Sequence, residues 1–182
     1  DIFITGIFLS ALYAISQKGQ SILIAVGLLL PVVVGMWLTY FVDIPYLRLV
    51  GDCCSILFFA FTIILILSSL LREYEITLDV IYGAVAVYLL MALMWAFVFD
   101  VIETLRPGSY QVTANSLHGT RVHFIYYSFV TITTVGYGDI LPVSLTARAF
   151  SIVEMITGQV YLVVLIARLV GINITQSMDK KS

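Results

Sequence analysis

Thr133-Thr134-Val135-Gly136-Tyr137-Gly138-Asp139 is the stretch from which this fold is read. Extended backbone advances about 3.3 Å per residue, so carbonyl oxygens recur at that interval. In a plain strand successive carbonyls point to opposite sides. Turning them toward one side takes unusual dihedrals, and Gly136 and Gly138 supply these with positive φ. The side chains of Val135 and Tyr137 then point away, into packing behind the run, and the Thr134 hydroxyl adds an oxygen at one end. The bland alternative is a glycine-rich turn that matches by accident. The flanking sequence decides between them.

Residues 121–133 are apolar with interspersed hydroxyls. As a helix they measure roughly 20 Å, too short for a bilayer core of ~30 Å. Residues 144–175 are long enough to cross, with Glu154 and Arg168 inside them. A short helix that enters and returns through non-helical backbone must be shielded by protein, because lipid cannot satisfy bare peptide groups. An oligomer around residues 134–138 is therefore expected.

Composition agrees with a membrane setting. Hydrophobic residues make up 61% of the chain and charged residues 11%, with mean hydropathy +1.07; soluble domains are nearer half apolar and a quarter charged. The net charge of −2 excludes a nucleic-acid partner, which needs a basic patch. Cys53 and Cys54 are adjacent and lack metal-ligand spacing. No Ser-His-Asp, His-Glu or phosphate-loop pattern is present, and His118 and His123 lie in or beside a polar loop. Neither an enzyme nor a cofactor is expected.

Four further apolar segments precede the run. Residues 21–42, 47–72 and 77–104 read as spans, and residues 2–16 as a clipped span or the tail of one. Residues 105–120 are polar. The expected fold is an all-α membrane protein. Residues 1–75 carry the N-terminal helices (about 2–16, 21–42 and 47–72). Residues 76–182 carry an outer helix (77–104), a turret (105–120), a pore helix (121–133), a filter (134–138) and an inner helix (144–175).

From about Asp79 to Thr175 the chain resembles the pore module of tetrameric potassium channels, in which Thr-Val-Gly-Tyr-Gly is the selectivity filter. The resemblance implies a homotetramer, since one chain supplies one filter strand. It implies bound K+ at Thr134, Val135, Gly136 and Tyr137, with Gly138 completing the filter. It also implies passive K+ conduction, a multi-pass place in the cell membrane and the lipid bilayer as surroundings. Thr133, Tyr126, Tyr127, Asp139 and Glu154 fall at supporting positions. Tyr126-Tyr127 sits where many members carry two tryptophans, as a cuff bracing Tyr137 and Asp139 or as ordinary aromatic packing. Val130 stands where some members have a glutamate paired with the acid after the filter, so that pair cannot form. Asp139 adds an acidic ring at the mouth, to which Asp100 and Glu103 are candidate contributors.

Gly158 follows Gly138 at the spacing of the family's inner-helix hinge; it either bends the helix or allows close packing. Helical spacing places Gln159, Leu162 and Ile166 near the cavity, and Ile166, Val170 and Ile174 recur at the step of an apolar constriction. Glu154 either braces the filter through a hydroxyl such as Thr131 or senses protons. No span carries basic residues at every third position, so a charged voltage sensor is not expected. Basic residues divide almost evenly between the two sides, and orientation rests on the resemblance: filter outward, C-terminus cytoplasmic. The apolar start at Asp1 suggests a chain shortened at its N-terminus. A cytoplasmic regulatory domain or ligand outside this chain is an expected partner. Two other functions stay open, a cation channel of low selectivity and a non-conducting membrane scaffold.

Overall fold

Pro45 opens the first long helix among the described residues, α1 (Pro45–Leu70), where its missing N–H costs nothing because the first turn has no carbonyl to receive it. The computed structural model describes residue 6 and residues 45–73, 75–113 and 120–179. The expected helices at 2–16 and 21–42 lie outside these residues, save for Gly6, which is helical. At its far end α1 tightens: the amides of Arg72 and Glu73 donate to Ser69 O and Leu70 O at 3.1 and 3.3 Å.

The chain then reverses into α2 (Leu78–Leu105), capped by Thr77, whose Oγ1 accepts from Val80 N at 3.3 Å. Such a cap contributes about 1 kcal/mol, and Asp79 in the first turn complements the helix dipole. After a short ribbon strand, β1 (Tyr110–Val112), come the half-length helix α3 (Thr120–Ile132), strand β2 (Ile140–Pro142) and α4 (Leu145–Asp179). Helix α4 continues past the expected end at residue 175. Among the described residues, α1, α2 and α4 are long and apolar enough to cross a membrane, and α3 is not.

Residues 105–113, expected as part of a polar turret, carry structure of their own. The Glu103 carboxylate accepts the amides of Gly108 and Tyr110 at 2.7 and 3.2 Å, and Gly108 turns the chain back with φ 82°. Strand β1 then pairs antiparallel with β2, Tyr110 opposite Pro142 and Val112 opposite Ile140. Thr113 N donates to Asp139 O at 2.8 Å and Val143 N to Ser109 O at 2.9 Å. The ribbon thus ties the chain before α3 to the chain after the filter run. Glu103 is occupied in this turn, not free at the mouth.

Helix α2 is the spine. One face meets α1 through Phe58, Phe59, Leu90, Leu93 and Phe97, with Phe59 and Phe97 rings 5.7 Å apart. The other meets α3 through an aromatic cluster in which Phe99 lies 5.0 Å from Tyr127 and 5.8 Å from Tyr110. Each such pair contributes about 0.5–1.5 kcal/mol beyond its buried area. Arg48 of α1 bridges to buried Asp100 of α2 at 2.7 Å, which takes Asp100 out of the solvent-facing charge.

Replacing Arg48 with Met leaves the Asp100 charge buried beside α1. The expected cost is ~2 kcal/mol of stability in detergent, below the full cost of breaking a buried pair because the Arg48 side chain keeps 34% exposure. Arg48→Met combined with Asp100→Leu is expected to recover most of the loss in equilibrium unfolding.

Candidate functional site

Helix α3 stops where Thr134 takes φ 60°. Thr134 N donates to Thr131 O and Val135 N to Val130 O, each at 3.0 Å, the bond pair of a Schellman cap. Glycine usually holds that left-handed position. A threonine there costs about 1–2 kcal/mol, and the closed cap holds it. Gly136 and Gly138 follow with φ 58° and 80°. A Cβ at either would meet nothing within 4 Å, so glycine is required there by conformation and not by space. Left-handed residues thus alternate with Val135 and Tyr137 along the run, and an alternating hand of φ allows successive carbonyls to share one side.

Residues 133–138 are all exposed in the single chain. Val135 is 53% and Tyr137 71% exposed, so the expected packing behind the run is not supplied by the chain's own core. One contact is made: the Tyr126 ring stacks parallel on Tyr137 with centroids 6.4 Å apart. The Tyr126 hydroxyl donates to Asp139, which pushes its phenol above the ordinary tyrosine range. Asp139 Oδ1 in turn accepts Ile140 N at 3.1 Å. Tyr127 faces the other way, its hydroxyl 2.7 Å from Ser151 Oγ and its ring 5.4 Å from Tyr110. The two adjacent tyrosines therefore act in different places, one at the filter run and one in the core. Behind the run a cavity of about 420 Å³ opens between Tyr127, Thr131, Thr134, Ser151, Ile152 and Met155.

On the inner side of α3, Ser128 Oγ lies 2.6 Å from Ala92 O and also bonds Glu154. Glu154 is fully buried. Its partner is Ser128, one turn away from the Thr131 expected. Gly158 sits where α4 passes the end of α3: a Cβ there would come 2.5 Å from Ile132 Cγ1 and 3.1 Å from Ile132 O. Close packing therefore accounts for the glycine, and α4 is helical on both sides of it. The same Ile132 carbonyl accepts the Tyr88 hydroxyl at 3.0 Å, and Tyr88 stacks on Tyr161, whose hydroxyl donates to Ala84 O at 2.7 Å. Tyr88, Ser128, Ser151 and Tyr161 were not singled out from the sequence. Hydroxyls within otherwise apolar spans are the signal that marks them, since each needs a buried acceptor.

Thr133 Oγ1, just past the end of α3, bonds Phe129 O at 2.5 Å. Ile166, Val170 and Ile174 are 59%, 53% and 52% exposed, on one stripe of α4. Among the described residues no group of three His, Cys, Asp or Glu side chains is placed to hold a metal ion.

Residues 76–174 match the family model described as "Ion channel". The chain belongs to the ion channel family. The chain is similar to Two-pore potassium channel 4 of Arabidopsis thaliana, 38% identical over 67 residues, which are 35% of this chain and 24% of that protein. It is also similar to Protein LctB of Bacillus caldotenax, 27% identical over 101 residues, 53% of this chain and 75% of that one. The chain thus spans about a quarter of the plant relative's length. No solved structure matches it.

Three substitutions test this packing. Gly158→Ala is expected to cost about 1–3 kcal/mol through overpacking against Ile132, read as a lower unfolding temperature in detergent. Glu154→Gln is expected to be nearly neutral, because the amide donates to Ser128 Oγ while Ser128 donates to Ala92 O. Glu154→Leu removes the bond to Ser128, whose hydroxyl keeps Ala92 O, and is expected to cost about 0.5–1.5 kcal/mol in the same assay.

Proposed function

We propose that four copies of this chain form a potassium-selective channel in the cell membrane, conducting K+ passively through one filter built from residues 134–138 of each copy. The observation that carries this reading is the left-handed backbone at Thr134, Gly136 and Gly138 within Thr-Val-Gly-Tyr-Gly. Rings of carbonyls from Thr134, Val135, Gly136 and Tyr137, with the Thr134 hydroxyl at the inner end, replace the water shell of K+. The exposure of Val135 and Tyr137 in the single chain supports neighbours on that side. The exposure along α4 leaves its apolar faces to lipid or to other copies.

The C-terminal end of α3 adds to the site. Its partial negative charge, directed toward the foot of the filter, favours a cation there. Tyr126 and Asp139 hold the outer end of the filter. The apolar stripe Ile166, Val170 and Ile174 narrows the inner pathway. Voltage sensing by a charged helix is not part of this reading: α1, the long helix preceding the pore module, carries Arg48 as its one basic residue, and that arginine is bonded to Asp100.

Reconstituted in planar bilayers under a potassium/sodium gradient, the chain is expected to give a reversal potential near the potassium equilibrium value. Gly136→Asp, which places a side chain and a charge on a left-handed position, is expected to abolish the current. Robust current reversing near zero identifies a channel of low selectivity, and flux unaffected by Gly136→Asp refutes conduction through this filter.

A further inference from the structure

Between α1, α2 and α4 runs a groove of about 620 Å³, open along one side, with Ile64, Leu67, Met91, Val160 and Val164 on its walls and Arg168 at one end. Its volume is that of a small-ligand site, yet its walls offer almost nothing to a polar ligand. The two hydroxyls within it are already engaged, Thr157 Oγ1 with Val153 O and the Tyr161 hydroxyl with Ala84 O, each at 2.7 Å. An occupant of the groove is therefore hydrocarbon along its length.

The charged end is different. Arg168 Nη2 donates to the main-chain carbonyl of Glu73 at 2.9 Å, in the turn that joins α1 to α2. That turn marks the end of two membrane-spanning helices, so the guanidinium lies at the level where the bilayer core gives way to headgroups. The contact is to a carbonyl and not to a carboxylate, and among the described residues the ion pair formed is Arg48–Asp100. A guanidinium has five N–H donors in a planar fork suited to a phosphate. From Arg168 the groove extends to Ile156 on the same helix, roughly 18 Å at the helical rise, against ~15 Å for one leaflet of a ~30 Å core.

We propose that this groove holds one acyl chain of an anionic phospholipid, with its headgroup phosphate on Arg168. The assignment rests on the membrane placement of these helices and not on the ion that the pore conducts.

The test counts lipid directly. The full chain, purified in detergent, is incubated with equal amounts of phosphatidylglycerol and phosphatidylcholine, and retained lipid is measured by native mass spectrometry. Phosphatidylglycerol is expected to be retained in preference. Arg168→Gln is expected to lower its retention about fivefold and to remove the preference, while Arg168→Lys keeps it. Ile64→Trp changes a position that is 64% exposed, so it leaves the fold intact; filling the groove, it is expected to reduce retention of both lipids. Equal retention of the two lipids by the unaltered chain overturns the headgroup assignment. Unchanged phosphatidylglycerol retention in Ile64→Trp overturns the groove as its seat. Retention is scored without current, so failure here leaves the pore proposal standing, and silence in bilayers leaves this one standing.

Discussion

Peptide groups that are not in a helix cannot face lipid, and this constraint organises the chain around residues 134–138. Every unpaired N–H or C=O at membrane depth costs several kcal/mol unless protein, water or an ion takes it up. The amides at the start of the run are spent on the Schellman cap, where Val130 O receives Val135 N and, at 3.3 Å, Gly136 N as well. The carbonyls that follow keep their lone pairs. A segment that gives its donors to its own helix and leaves its acceptors open is suited to a desolvated cation and to little else.

The same constraint explains the elements around it. In the proposed pore, the short helix α3 delivers the run part-way through the membrane. The β1–β2 ribbon holds the chain where it enters α3 and where it leaves the run, so that a strained conformation is fixed at both ends. Ile132 O, at the end of α3, takes the Tyr88 hydroxyl and is packed against Gly158. Helix α4 therefore cannot shift at Gly158 without disturbing the last turn of α3, two residues before the run begins. Ser128 and Glu154 make a second joint between these helices, one turn earlier on each.

Much of this was legible in the residues, and what was not has physical reasons. Gly136 and Gly138 announced positive φ because glycine alone adopts it freely. Thr134 did not, since a β-branched residue is the last one expected there, and only the cap in three dimensions explains it. Tyr126 and Tyr127 read as a cuff or as ordinary aromatic packing, and neighbours on a helix point about 100° apart at 3.6 residues per turn, so within one chain Tyr126 meets Tyr137 while Tyr127 packs in the core. Ser128 and Thr131 lie one turn apart on one face of α3, and sequence alone could not choose between them as the partner of Glu154. The ribbon escaped notice because three-residue strands carry too few residues for an alternation to register, and its anchor is a carboxylate, Glu103, reaching to amides beyond its own helix.

What one chain leaves uncovered falls into two kinds, with different consequences. The exposed faces of α4 are apolar, and lipid tails cover apolar side chains as well as protein does; there is little hydrophobic drive between helices inside a bilayer. Exposure of α4 by itself therefore does not demand a second copy. Under the proposed placement the run at 134–138 calls for one, because its open side carries carbonyls that tails cannot bond. Under the proposed assembly the copies come together first to shield that backbone, and contacts between neighbouring α4 helices follow from where this places them. Close packing at Gly158 and the exposed side chains of Val135 and Tyr137 then serve one end: they set how near the four runs stand to a common axis.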